Sequence, residues 1–358
     1  MMADTESRYS YQAPVELKDL ARIDPMFARL AETPAFLRLK DIRFLGGIDF
    51  LLVPSPNGSE ANKRYTRYQH SLGVAGLALL YCHLRGVPPE RRKIAYAAAL
   101  LHDVGHGPLS HSLEPVFEEA FGINHHLATQ DIILGNVPLG AELSLALREN
   151  SVDADEVIAV LEGKIDPFDG FFSGPINFDT IEGILRSRRY ATRSTIPISP
   201  VKVVQAATWR RDDSDRDVVD SFWAYKDEVY KHVIRAPTGV LADYVCQMVA
   251  RADLHKLSEQ DFFSTETSLF RKLPQLRQLL LDKRRLTALA EDVSIGFMVR
   301  EFTVNAEADF FTRADKERYT QRKWDSVLAF PKGTELPSFG EGTLFDEHGG
   351  LRESEELL

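Results

Sequence analysis

The sequence predicts a mainly α protein: a helical bundle with a C-terminal helical accessory region and at most a short β element. Three observations predict it. Apolar residues recur at helical spacing through most of the 358 residues. One segment, Ile48–Val53, reads as a strand. The composition, 44% apolar and 27% charged, is that of a globular chain with room for a sizeable core.

Taken in order, residues 15–45 carry Leu17, Leu20, Ile23, Phe27, Leu30, Phe36 and Leu37 at helical spacing, until Gly46-Gly47 ends the pattern. Pro54–Glu60 is a loop by its turn residues. Helices follow at about 68–84 and 89–104, the second dense in Ala and Leu and stopped by Gly105, Gly107 and Pro108. Shorter helices fit 110–121, 127–134, 141–149 and 153–163. Gly163–Ile176 is a Gly/Pro loop, and a helix starts near Thr180. Long helical patterns return at 214–235, 238–255 and 274–301. The tail from Pro331 is acidic and expected to be mobile.

The net charge of -10 argues against bulk nucleic-acid binding, which needs a basic surface. Seven acidic residues against Lys332 and Arg352 put half of that charge in residues 331–358. A small anionic ligand is therefore still compatible with the body of the chain. Cys82 and Cys246 lack CxxC spacing, which points away from a disulfide framework or a thiolate zinc site. No apolar run approaches the roughly 20 residues a bilayer demands. A cytoplasmic protein with no membrane partner is the expectation.

His70, His102, His106, His111, His125 and His126 crowd into residues 70–126. His102-Asp103 ends the Ala-rich helix, His70 opens the helix before it, and Asp179 opens a later one. Imidazoles and carboxylates from several helices facing one core suit a divalent cation such as Mn, Mg, Fe, Co or Zn. A plainer reading stands beside this. Asp179-Thr-Ile-Glu182 has the spacing of a capping box, so Asp179 could simply cap its helix.

The stretches Arg67-Tyr-Gln-His70-Ser-Leu-Gly-Val and Ala99-Leu-Leu-His102-Asp103-Val-Gly-His106-Gly-Pro-Leu-Ser-His111 resemble the HD-domain metal-dependent phosphohydrolases. They are most similar to the branch of the deoxynucleoside triphosphate triphosphohydrolases. Thr33–Gly47 and Glu228–His232 are similar to that branch too. The resemblance spans roughly residues 28–260. It implies an HD domain there, after an N-terminal segment 1–27 and before an accessory region 261–330 and the tail 331–358.

Residue by residue, the resemblance implies His70, His102, Asp103 and Asp179 as metal ligands. His106 and His111 match active-site histidines. One of His125 and His126 matches a general acid or base, with His125 favoured. Arg67, Arg186, Tyr230 and Lys231 match substrate-contacting positions. Helical accessory regions of the family imply a homo-oligomer.

The chain departs from the branch around the sugar and part of the triphosphate grip. Phe44 stands where the pattern has a sugar-reading Gln. Thr180, Gly183 and Ser187 replace a Lys, a Tyr and an Asp, and Lys231 and Val233 replace a Gln and a basic residue. Lys63, Arg64, Arg188, Arg189 and Lys231 are candidate compensating cations, although solvated surface is the commoner fate of such residues.

The expected function is metal-dependent hydrolysis of a nucleotide phosphate ester, with a (d)NTP triphosphohydrolase as the sharpest form. The alternatives are a phosphohydrolase acting on a non-nucleotide mono- or diester, a di-iron HD oxygenase, or a non-catalytic nucleotide sensor. The extra histidines could hold the second metal that an oxygenase needs.

Overall fold

The computed structural model describes residues 15–52, 66–165, 168–192, 198–291, 293–312 and 315–330. Lys63, Arg64, the Pro54–Glu60 loop and the 331–358 tail lie outside them, as do the side chains of Arg188 and Arg189. The architecture is a helical bundle with one two-stranded sheet.

The chain enters through α1 (Leu17–Ile23), α2 (Met26–Ala31) and α3 (Pro34–Leu37). Continuous helical spacing over 15–45 is thus cut into short pieces. Pro25 and Pro34 explain the cuts, since each serves a helix start and neither can extend the helix before it. Gly47–Leu52 forms α4, not the expected strand. Its apolar run is buried on a helix, and a run this short does not distinguish the two by periodicity.

The bundle proper comprises α5 (Arg67–Leu84), α6 (Pro89–Leu101), α7 (Glu114–Phe121), α8 (His125–Leu134), α9 (Ala141–Glu149) and α10 (Ala154–Leu161). It continues with α11 (Phe178–Thr192), α12 (Pro200–Trp209), α13 (Asp213–Val229) and α14 (Pro237–Ala252). Helix α5 is buried on every face from His70 to Cys82. It is apolar all round and becomes the central helix, packed on α6, α11 and α12. This placement puts His70, in its first turn, at 0% exposure. Helix α13 passes into a π-helical turn, Tyr230–Ile234. Cys82 and Cys246 are buried free thiols.

The C-terminal region holds α15 (Glu266–Lys272), α16 (Pro274–Leu281) and α17 (Lys283–Ala290). These are followed by β1 (Ser294–Val304), α18 (Asp315–Arg318) and β2 (Tyr319–Ala329). The single helical pattern expected over 274–301 therefore starts as expected but breaks at Asp282 and gives way to a strand from Ser294. Asp282 ends α16 and caps α17, accepting from the Arg284 and Arg285 amides. Residues from Ser294 pair antiparallel with β2, in register Ser294↔Ala329 to Val304↔Tyr319. Ile295, Phe297 and Val299 alternate at the strand period. The hairpin is anchored to α13: Trp223 Nε1 donates to Thr303 O at 3.1 Å, and the Trp223 ring meets Phe302 edge-on at 5.5 Å. Among the described residues, no helix is long and apolar enough to cross a membrane.

Candidate active site

Four elements bring the histidines together. Thr66 caps α5, accepting from the Gln69 amide, and Arg67 N donates to Ile42 O at 2.9 Å. Those bonds fix the turn that carries Arg67 and His70. Helix α6 ends at His102, whose Nδ1 bonds to Ala99 O at 2.9 Å. The loop beyond lies against the start of α8. Gly105 permits this approach, because a Cβ there would sit 2.3 Å from Thr129 N and 2.4 Å from His125 O. Asn177 caps α11, its Oδ1 accepting from Thr180 N at 2.7 Å. With that task taken, Asp179 does not cap the helix and its carboxylate turns to His70.

The geometry converges. His70 Nε2 lies 3.1 Å from Asp179 Oδ1 and 3.2 Å from His102 Nε2. Asp103 Oδ2 is 3.4 Å from His70 Nε2 and 3.3 Å from His102 Nε2, and His102 Nε2 is 3.8 Å from Asp179 Oδ1. Ligands about 2.1 Å from a common divalent cation stand about 3.0–3.4 Å apart in octahedral or tetrahedral arrangement. The donor set therefore fits such an ion. Both imidazoles also have Nδ1 engaged, His70 on Glu182 Oε2 at 2.5 Å and His102 on Ala99 O. That leaves both Nε2 atoms for a ligand, as an outer hydrogen-bond shell does at metal-binding histidines.

Charge balance points the same way. Burial would lower the His102 pKa, but the Asp103 and Asp179 carboxylates outweigh it and push it up to about 9. Burial would raise Asp103, but Arg67, His102 and His106 hold it well below the usual carboxylate range. Fixed anions thus draw a cation into the centre, a proton if nothing else, and a metal ion competes for the same place.

Beside this group stands a second one. His106 Nε2 is 3.2 Å from Asp103 Oδ1, so Asp103 spans both groups. His106, His111, Glu114 and His125 present ligand atoms within 4.8 Å of one another. The His106 ring stacks on His125 at 4.3 Å. Glu114 accepts from the His125 backbone at 3.2 Å, and its Oε2 lies 2.6 Å from His125 Nδ1. His111 Nδ1 lies 3.8 Å from Glu114 Oε1. Desolvation works against the Glu114 charge, but His111 and His125 hold its pKa far below normal. His126 is exposed, with its ring 3.9 Å from that of His125. The turn that presents His111 carries positive φ at Leu109 (59°) and Ser110 (46°). Such residues cost about 1–3 kcal/mol each. Ser110 Oγ offsets part of this, donating to Arg43 O and accepting from Arg67 Nε.

The expected substrate contacts are placed unequally. Arg67 is buried and donates from Nη1 to Asp103 Oδ2 at 2.7 Å. Arg186 clasps the Glu182 carboxylate and donates to Gln69 O, so its guanidinium stands behind His70. Tyr230 lies in the π-helical turn with its ring 4.6 Å from Phe302, and Lys231 is exposed. Sequence reasoning did not assign Glu182 or Glu114 to the site. Their spacing, three residues after Asp179 and after His111, was the available signal. A cavity of about 620 Å³ opens onto the centre, bordered there by His102, Asp103, His125, His126 and Asp179.

The HD-domain family model matches residues 67–202, from the first turn of α5 into α12. An uncharacterised Mycoplasma pneumoniae protein, the MG461 homolog, is 31% identical over 321 residues, 84% of this chain and 72% of its own length. The chain belongs to the HD-domain family. An uncharacterised Bacillus subtilis protein, YwfO, is 36% identical over 141 residues, 38% of this chain and 30% of that one. The chicken deoxynucleoside triphosphate triphosphohydrolase SAMHD1 is 35% identical over 121 residues, 31% of this chain and 18% of its own. The similarity to the named enzyme is thus confined to part of each chain. The HD domain is the unit that carries both histidine groups.

Proposed function

We propose that this HD-domain protein is a metal-dependent phosphohydrolase acting on a nucleotide phosphate ester. The observation that carries the reading is the convergence of His70, His102, Asp103 and Asp179 beside the His111–Glu114–His125 group. A divalent cation in that donor set supplies neutralisation of a phosphate oxygen and a bound water of lowered pKa. Arg67 fixes the Asp103 carboxylate and keeps it ionised. Glu114 orients His125, which takes or gives a proton at Nε2, and holds the charge that develops on the imidazole. His111, exposed and near the same carboxylate, is the second proton carrier. His125 rather than His126 takes the acid–base role, because His125 has the Glu114 bond. The partial similarity to triphosphohydrolases supports a nucleoside triphosphate as the sharpest form of the substrate.

The test is hydrolysis of a nucleotide panel by the metal-supplemented chain, with triphosphate, pyrophosphate and orthophosphate resolved. Release of any of them in proportion to added metal supports the reading. A second reading is favoured by the His106–His111–Glu114–His125 group, which could hold a second ion. Two irons per chain and no phosphate release would replace the hydrolase with the oxygenase.

A further inference from the structure

The two sides of the metal-donor group differ. One is filled. Phe44 is 7% exposed, its ring lies 4.5 Å from that of His70, and the Arg67 guanidinium sits 4.9 Å over its face. A Cβ at Gly183 would meet Phe44 Cζ at 3.1 Å, so Phe44 occupies the room that a side chain at 183 would use.

The other side is open. The cavity of about 620 Å³ runs from His102, Asp103 and Asp179 to a far wall built by α8, α10 and the 168–177 loop. That wall is apolar where the half-buried Phe172 and Leu161 face the cavity. Its rim is polar. Gln130 Nε2 donates to Glu162 Oε1 at 2.8 Å, and Lys164 Nζ is 2.6 Å from Glu162 Oε2. Apolar walls with a few placed polar groups characterise small-molecule sites. A bare polyphosphate gains nothing from an aromatic wall, and the Glu162–Lys164 pair leaves no net positive charge there to hold it. A flat heterocycle with donors and acceptors along its edge can lie on Phe172 and bond to Gln130 and Glu162.

We infer that this cavity seats the base of the nucleotide, so that the nucleoside leaves the metal-donor group on the side away from Phe44. The inference rests on the phosphohydrolase reading of the centre, which supplies the phosphate at the other end. The far wall then sets which base is accepted.

The experiment uses the full chain loaded with Mn²⁺. Binding of a fluorescent nucleoside triphosphate and of inorganic tripolyphosphate is read directly after mixing, and hydrolysis of both is followed separately. Gln130→Trp fills the cavity from a half-buried position on α8, and Glu162→Ala removes an exposed edge partner with little risk to folding. Each should weaken nucleotide binding about 10-fold or more relative to tripolyphosphate. Equal weakening of both ligands, or no change in either variant, overturns the inference. So does a wild-type chain that binds tripolyphosphate as tightly as the nucleotide. Selective nucleotide binding without hydrolysis of either compound removes the phosphohydrolase reading and leaves the base site standing.

Discussion

His70 Nδ1 sits 2.5 Å from Glu182 Oε2, so the imidazole proposed as the first ligand, on α5, is aimed by a carboxylate one turn beyond Asp179 on α11. Burial would raise Glu182, but Arg186 and His70 hold it at about 2, and it stays ionised. One helix thus supplies a proposed metal donor and the residue that orients another. Partners of this kind typically contribute 10–100-fold to metal affinity. Glu182→Gln should weaken Mn²⁺ binding by about that factor in a spectroscopic titration. An unchanged dissociation constant would remove Glu182 from the site.

Glu114 makes a similar relationship with His125. His125→Ala and Glu114→Gln should each lower kcat at neutral pH by about 100-fold, the usual scale for a lost proton carrier. Metal content should stay the same. His126→Ala should keep most of the activity, since His126 is exposed and its neighbour holds the carboxylate. The reverse ranking of the two histidines would contradict the assignment.

Phe44 and Gly183 are fitted to each other, with the prospective Cβ at 183 only 3.1 Å from Phe44 Cζ. Gly183→Ala gains about 1 kcal/mol of helix propensity, but Phe44 is held between His70 and Arg67, so overpacking of about 1–3 kcal/mol should leave the variant less stable. Phe44→Leu in that background should recover part of the loss. Denaturant midpoints of the four chains form a double-mutant cycle. Additive effects would show that the two positions do not compete for space.

The helical class was legible because it depends on local signals, and the histidine groups because their motifs resemble a known family. Helix α5 is apolar from Leu72 to Cys82, and HDVGH follows a helix end at Leu101, with Gly105 and Gly107 just beyond it. The failures lie where the answer was nonlocal. Ser294–Val304 became a strand through pairing with residues about 25 positions later. Asp179 had a capping spacing, and only the placement of Asn177 Oδ1 on Thr180 N released it to His70. A local pairing was also not read: Glu182, four residues before Arg186, takes its guanidinium.

A buried carboxyl outside the donor set gives stability a pH dependence. Asp49 is fully buried, and burial outweighs the Leu45 amide bond and the nearby arginines to push its pKa up to about 7. Between about pH 4 and 7 the native state holds a proton that the unfolded chain has lost. This group's contribution is therefore complete below about pH 4 and falls away as pH rises to about 7, by on the order of 4 kcal/mol. Asp49→Asn keeps an acceptor for Leu45 N and has no proton to lose. Urea midpoints from pH 5 to 8 should fall less steeply in the variant. Parallel profiles would show that Asp49 does not titrate this way.

His70, His102, Asp103 and Asp179 are proposed to form one metal centre that hydrolyses phosphate esters. The most direct measurement compares wild type with the His102→Ala/Asp103→Ala double variant, counting metal atoms per folded chain and phosphate released from nucleotides in the same samples. A single metal centre predicts bound metal and turnover in wild type, and loss of both in the folded variant. A folded variant that keeps its metal and full turnover would contradict it.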